Sequence, residues 1–410
     1  MTQYSRALAA SYAPASRQIR VDTRRPPWYF LATSRGFPDA DKRSVAAKVT
    51  QDYHGFQRNE MKTGKRFLTL ILCAAVSACT VILAWGCGGG DPDRRVVTVY
   101  SPHGKPILPE FEKLFEAAHP DVDVRWLDMG SQDVLDRVRS ERSNPQGDVW
   151  WGAPATNFIQ AADEGLLSPY RPTWADALLP EFRDEEDRWY GTAQLIPVIA
   201  FNNLELTKET APADWDELLD PRWRDLIVIR YPLASGTMRT VYSGMIWRTY
   251  QDTRVPDAGY VWLTRLDANT KDYAADPNMM FQKLARKEGL VSIWLMSDIM
   301  MQVDRYGYPF DFVVPRSGAP VLTDGIALIA NSKNPDDARL FYEFVTNVDH
   351  TVLQATEYYR IPTRGDIPKD RLPAWMADLS VAPFDIDWKV FSEQSSTWMK
   401  YWDDNIKDRG

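Results

Sequence analysis

The sequence predicts an α/β protein of two lobes, each a mostly parallel sheet covered by helices. Three observations carry this. Short β-branched segments alternate with amphipathic helical ones from residue 95 onward. A second run of the same alternation begins after an apolar segment at Gln194–Asn202, and another apolar segment, Val321–Ile329, heads back toward the first. The stretch from residue 88 to residue 410 is long enough for two lobes of ordinary domain size.

In the first unit, Arg95–Ser101 reads as a strand and Pro109–His119 as a helix with Phe111, Leu114 and Phe115 on one face. Val122–Leu127 is a second strand, followed by Gly130-Ser131 and a helix with Val134, Leu135 and Val138 inward. Asp148–Trp151 is a third strand, closed by Gly152-Ala153-Pro154, and Asn157–Glu164 is again helical. A βαβαβα order implies parallel strands with helices on the faces, and ligands then sit beyond the strands' carboxyl ends. Those ends are Ser101–Gly104, Met129–Ser131 and Trp151–Pro154. The second unit reads as a helix at Trp215–Leu219, a strand at Leu226–Arg230, and Tyr231–Met238 opening a helix to about residue 249. Strands at Leu290–Trp294 and Asp311–Pro315 follow, then the returning segment and a helix to Val345 capped by Asn334–Ala338.

Ahead of this, Met61–Arg66 puts three cations before an apolar run, Phe67–Trp85, that ends in Gly86-Cys87 and three glycines. A basic start, an apolar middle and small residues before a cysteine make an export signal. Cys87 is the expected lipidation site, with Cys79 as the alternative; an uncleaved anchor is a third reading, since 19 residues can just span a bilayer. The expected organisation is an extension at 1–60 that is non-native or disordered, a lipoprotein signal peptide at 61–87 and a tether at 88–94. Lobe 1 is then 95–198 plus 322–410, and lobe 2 is 199–321.

Composition narrows the function. Residues 1–60 hold 10 Lys+Arg and 5 Asp+Glu, and residues 61–87 hold 3 and none. Removing these from the totals of 48 and 56 leaves 35 against 51, a net charge of −16 for residues 88–410. Such a surface repels phosphate backbones and argues against nucleic-acid binding. All three cysteines (Cys73, Cys79 and Cys87) lie in the signal region, so no thiol site or internal disulfide is expected after it. His103, His119 and His350 are too scattered for a zinc motif. No Gly-x-Ser-x-Gly, His-Glu-x-x-His or Walker loop occurs, so no enzyme activity is expected.

Six segments in order, Val99–Gly104, Gly147–Pro154, Trp189–Thr192, Leu218–Pro221, Ser235–Thr237 and Asn334–Ala338, resemble the extracellular solute-binding proteins of ABC importers. The likeness covers residues 95–410 and points to the branch that binds ferric iron, phosphonates and sugar phosphates. It implies the type II periplasmic-binding-protein fold, with Ile196–Asn202 and Val321–Leu328 as crossing hinge strands. It also implies a membrane permease and its cytoplasmic ATPase as partners, a monomer, an extracytoplasmic lipid-anchored location and no cofactor, with ferric iron as the alternative cargo.

Candidate ligand contacts follow from the residues and the resemblance together. Ser235, Gly236 and Thr237 precede a helix, where free N–H groups and hydroxyls favour an anion and Gly236 lets the backbone approach. Ser131 opens another helix; either serine could instead merely cap its helix. His103 stands where iron-binding relatives place a ligand, and would be the metal ligand if iron were the cargo. Trp150 and Trp151 alternate faces, and Trp151 is the one expected over ligand. Trp294 and Asp298 lie where a strand runs into a helix. Asp324, on the returning strand, could take a ligand amine or a sugar hydroxyl, or cap a turn. The branch's tyrosine pair is replaced by Trp294–Asp298, and the glutamate expected near Gly152 is missing. Ferric iron needs hard oxygen ligands, so the expected ligand is an organic anion bearing phosphate or phosphonate. A tethered hydrolase and a sensory binding protein are the remaining alternatives.

Overall fold

Residues 94–408 are described by the computed structural model, and they form two sheets flanked by helices. The expected signal segment and both candidate lipidation cysteines, Cys79 and Cys87, lie outside these residues.

The first sheet opens as the sequence predicts. Strand β1 (Arg95–Ser101), helix α1 (Leu108–Ala118), β2 (Val122–Asp128), α2 (Ser131–Ser140), β3 (Val149–Pro154) and α3 (Ala155–Asp163) follow in order. β1 lies between β2 and β3, parallel to both. Every residue of β3 is buried, which marks a strand covered on both faces. Trp150 and Trp151 point to opposite sides of it, into two separate apolar clusters. α1 buries Leu108, Phe111 and Phe115, one stripe of a 3.6-residue period, against one of them. The chain then makes β4 (Leu167–Ser168) and β5 (Tyr190–Leu195) before leaving this sheet.

The segment read as a single strand at 194–202 is two. β5 ends at Leu195, and β6 (Pro197–Asn202) belongs wholly to the second sheet. Pro197 has no N–H to continue a ladder, which suits a strand start where the chain changes sheets. The first crossing is therefore at Ile196, slightly before the expected boundary at 198. The second unit continues with β7 (Ile227–Arg230), α4 (Gly236–Thr253), α5 (Asp257–Asp267), β8 (Thr270–Ala274), α6 (Pro277–Ala285), β9 (Val291–Leu295), α7 (Met296–Tyr306) and β10 (Phe310–Val313). Its sheet order is β10-β6-β9-β7-β8, with β7 parallel to β8 and β9. β6 runs antiparallel to β9 and β10.

β11 (Leu322–Ile329) returns to the first sheet and inserts between β3 and β5, antiparallel to both. α8 (Pro335–Thr346), α9 (Val348–Glu357) and β12 (Ile361–Pro362) complete that side. The expected capping by Asn334 does not occur. Its amide reaches Asp148 instead, across to the start of β3. Both sheets are mixed rather than mostly parallel, because each strand that crosses or returns enters against the strands already there.

The chain then crosses a third time. α10 (Trp388–Asn405) packs into the second lobe's core, where Phe391, Trp398, Met399 and Trp402 join residues of β7, β9 and α4. Residues 388–406 therefore belong with the second lobe, against the assignment of 322–410 to the first. The helix also touches the first lobe: Gln160 of α3 donates to the Ser392 carbonyl, and the Ser392 hydroxyl to the Thr156 carbonyl. Trp402 is fully buried against Tyr231, Tyr242 and Tyr273. Trp402→Ala should lower stability by about 3–5 kcal/mol, read from chemical denaturation. A cost below about 1 kcal/mol would mean that α10 contributes little to this core.

Candidate functional site

A cavity of about 660 Å³ lies between the two sheets, a size typical of small-molecule sites. It is lined where the strands end: Pro102–Pro106 after β1, Asp128–Ser131 after β2, Arg230 at the end of β7, Asp276 after β8 and Trp294 in β9. Those carboxyl ends are where the parallel portion of an open sheet presents ligands. Asp324 of β11 and Arg360, just ahead of β12, line it as well.

The side nearest β11 is held by one carboxylate. Asp324 is 2% exposed. Its Oδ1 accepts from the Ala153 N–H at 2.7 Å, and its Oδ2 takes His103 Nε2 at 2.8 Å and Arg360 Nη1 at 2.6 Å. Burial opposes its ionisation, but His103, Arg360 and the Ala153 N–H together hold its pKa below the ordinary carboxylate value. Burial, then the neighbouring Arg360 charge, push His103 down to about 4 despite Asp324, so its ring is neutral at pH 7. The ring packs edge-on to Trp151, with centroids 4.7 Å apart. It also lies against Gly152, whose φ is +93° and where a Cβ would come within 2.3 Å of Nε2. Only glycine meets both conditions.

The opposite wall is where the lobes meet. Ser235 caps α4, its Oγ accepting from the Met238 N–H at 3.2 Å. The capping alternative therefore holds for Ser235, although it also lines the cavity with Thr237. Ser131 is the first residue of α2, with Gly130 in the cap position and no side-chain cap. Ser131 is 6% exposed and lines the cavity. Gly236 does not line the cavity, contrary to expectation. It seats α4 against the first lobe, where a Cβ would lie 2.7–3.0 Å from Asn157, Ser131 and Pro154. Across from it, a Cβ on Gly130 would lie 2.5 Å from the Ala234 carbonyl. Gly130 thus lets the lobes touch backbone to backbone, and Gly236 makes room for side chains of the first lobe.

Trp294 and Asp298 do line the cavity, and they are bonded to each other: the indole Nε1 donates to Oδ2 at 2.7 Å. Burial pushes the Asp298 pKa up, with Arg360 and the Trp294 N–H opposing. Trp151 does not reach the cavity. It is fully buried between His103 and Phe111, because its face of β3 is the one covered by α1.

Arg230 went unnoticed in the sequence. It is 6% exposed. Among the described residues it has no carboxylate within ion-pair distance, and its Nη1 makes only two long bonds, to the carbonyls of Tyr231 at 3.5 Å and Ala274 at 3.4 Å. A lone charge ending the apolar run Leu226–Ile229 was the available signal. Arg360 gave none, since only folding brings it beside Asp324, 36 residues away in the chain. Tyr306 and Tyr308, also at the cavity, were likewise missed.

The profile of a family described as bacterial extracellular solute-binding protein matches residues 155–378, more than half of the chain. The chain belongs to that family. A relative named as a probable ABC transporter periplasmic-binding protein of Sinorhizobium fredii is 25% identical over 342 residues, spanning 82% of this chain and 92% of its own. The periplasmic binding protein AfuA of Actinobacillus pleuropneumoniae, solved with exogenous fructose-6-phosphate bound, superposes with a TM-score of 0.67 at 23% identity, covering 77% of this chain and 99% of AfuA. The ferric binding protein of Campylobacter jejuni gives 0.64 at 19%, covering 75% and 98%. The architecture is accordingly the type II periplasmic-binding-protein fold, and the family members are binding proteins. Among the described residues no helix is long and apolar enough to cross a membrane.

Two outcomes follow from this geometry. The unfolded chain protonates His103 near pH 6.5 and the folded one near pH 4. Stability is therefore full above pH 6.5 and falls as pH drops through that window, by up to about 3 kcal/mol. Denaturation at pH 7 and pH 4.5 should show a smaller loss in His103→Gln; equal losses would remove His103 as the cause. Gly236→Ala should hold the lobes apart, seen as a larger radius of gyration in X-ray scattering and at least tenfold weaker ligand binding. An unchanged radius and affinity would show that the wall can yield.

Proposed function

We propose that this protein is the substrate-binding lipoprotein of an ABC import system. It takes up a small organic anion bearing phosphate or phosphonate and hands it to a membrane permease driven by a cytoplasmic ATPase. The observation that carries the anion reading is Arg230, a buried guanidinium at the cavity without a carboxylate partner. An unpaired buried charge is costly, and a bound anion removes that cost. A guanidinium also matches phosphate oxygens with two parallel donors. Ser235, Thr237 and Ser131 stand nearby at two helix starts and offer hydroxyls to the same ligand. His103 and Asp324 contribute by holding the cavity's inner side, with Trp294 and Asp298 lining the second lobe.

Function here is binding without chemistry. Ligand enters between separated lobes, and contacts to both lobes exist only when they meet at Gly130 and Gly236, so ligand shifts the hinge equilibrium toward closure. Cys87 lipidation ahead of residue 95 would keep the trap at the outer face of the cell membrane. Ferric iron is the alternative cargo: Tyr306 and Tyr308 put two phenol groups at the cavity, and His103 Nε2 is already engaged by Asp324 and Arg360.

The test is a thermal-shift series on protein unfolded and refolded to strip carried-over ligand. Sugar phosphates, alkyl phosphonates, inorganic phosphate and ferric citrate form the panel. A ligand at one hundred times its Kd should stabilise by about 2.7 kcal/mol. Arg230→Gln should abolish the shift given by a phosphate or phosphonate compound. A shift with ferric citrate alone, untouched by Arg230→Gln, would replace the anion with iron.

A further inference from the structure

Arg305 belongs to the second lobe but turns its side chain to the first. It lies in the last turn of α7, where an arginine ordinarily serves the free carbonyls of its own helix. Instead its guanidinium covers the ring of Tyr358 at 4.4 Å, its Nη2 donates to the Glu357 carbonyl at 3.1 Å, and the Glu357 carboxylate lies 3.8 Å from it. Among the described residues, Arg305 has no side-chain hydrogen bond or ion pair within its own lobe. Tyr358 is fixed in turn. It is 2% exposed, and its hydroxyl donates to the Pro106 carbonyl at 2.8 Å in the loop after β1, beside Glu110.

The next residue of that turn is strained. Tyr359 has φ +57°, the left-handed region in which a chain leaving a helix usually places glycine. A bulky residue persists there only where the surrounding structure over-determines it, and such strain gathers at clamps and switches. Burial, then the Asp304 carboxylate, push the Tyr359 hydroxyl up in pKa, so Asp304 of α7 stands beside it. Its ring also lies 6.2 Å from that of Trp375, in the segment that covers the crossing strands. Arg360 follows at once and is bonded to Asp324 in the cavity. One turn of the first lobe therefore meets two consecutive residues of the second. Cavity residues adjoin it on both sides, Pro106 and Arg360 in the first lobe and Tyr306 in the second, but Arg305, Tyr358 and Tyr359 do not themselves line the cavity.

We propose that Arg305, Tyr358 and Tyr359 are positioning residues for ligand capture: they touch no ligand, and they hold the lobes shut on one. The proposal rests on the reading of a trap that closes on ligand. α7 starts at Met296, in the apolar cluster of the crossing strands, and Arg305 lies nine residues further, about 13 Å along the helix. Rotation of the lobes about that cluster carries the guanidinium off the Tyr358 ring and Asp304 away from Tyr359. Those contacts exist only in the closed arrangement, so they add to its stability whatever the cavity holds. A cation over a tyrosine face contributes more once partly desolvated, and the Arg305 side chain is 26% exposed. Loss of the clamp should then speed ligand release and leave the encounter unchanged.

Hydrogen exchange and calorimetry on the ligand-stripped full chain test this, with glucose 6-phosphate, inorganic phosphate and ferric citrate added separately. Exchange is read at residues 129–131 and 235–238, on the wall where Gly130 meets the Ala234 carbonyl. At least one probe should slow exchange there. Arg305→Ala should cut that protection and weaken the same probe's binding about fivefold or more, with an unchanged thermal melt of the unliganded protein. Arg305→Lys keeps a cation over the ring and should restore most of both. Tyr359→Gly removes the strain and the Asp304 contact together, and should weaken binding without lowering the unliganded melt. Protection and affinity equal to the native protein's in both Arg305→Ala and Tyr359→Gly overturn the clamp and leave the trap reading standing. A lowered unliganded melt in both, with binding unchanged, also overturns the clamp and makes the turn a structural one. Absence of protection by all three probes overturns the trap reading for these ligands, and the clamp with it.

Discussion

One buried carboxylate holds the interior of this molecule in register. Asp324 sits where β11 slips register against both its neighbours, and such a bulge re-aims a side chain out of the regular alternation. From there it gathers a backbone N–H of β3, the imidazole after β1 and the guanidinium ahead of β12. Three segments distant in sequence are thereby fixed to the strand that carries the chain back between lobes. A charge this deep persists only if its lone pairs are filled, so the four groups stand or fall as a set. The loop after β1, which begins the cavity wall, takes its position from that set.

The two lobes divide the work unequally. Charges of the first lobe that face inward are largely consumed by one another, which makes that side a rigid support. Arg230 of the second lobe is presented singly at the end of β7, bonded only to backbone carbonyls, and is free for something that is not protein. Apolar contact between the lobes lies at the crossing strands, where Ile361 packs against the cluster of Ile196, Val198 and Met296, whereas at the cavity wall they meet through glycines and helix starts. Little hydrophobic area rewards closing at that wall, so the balance between separated and joined lobes is left open to ligand.

Most of the architecture was legible in the chain, because the parallel strands are short, β-branched and bounded by turn residues. Arg95–Ser101 and the helices after β1 and β2 fall where periodicity puts them. The misplacements share a cause: periodicity reports which residues are buried, not what buries them. Gln194–Asn202 is apolar throughout, yet Ile196 divides it between two sheets. Trp151 alternates correctly, yet the face it takes is the one covered by α1. α10 carries a sound amphipathic pattern, but nothing local in Trp388–Asn405 says which lobe its tryptophans enter. At the site, residue types that bind anions at helix starts were visible, whereas Arg230 and Arg360 acquire meaning only through what lies, or does not lie, beside them in three dimensions.

The position of α10 also bears on how the molecule assembles. The second lobe's core draws on residues from about 195 to 322 and then again from 388 to 406. As the chain is made, that core is short of Phe391, Trp398, Met399 and Trp402 until the last of these has emerged, and it closes by contacts of long sequence separation. Non-local closure is slow, and apolar surface stays uncovered meanwhile. The first lobe has its complete sheet by residue 362, and Thr363 and Arg364, which bond to Gly191 and Thr346, follow directly. Maturation is thus ordered in time: a platform that can form early, and a ligand-gripping half that becomes whole last.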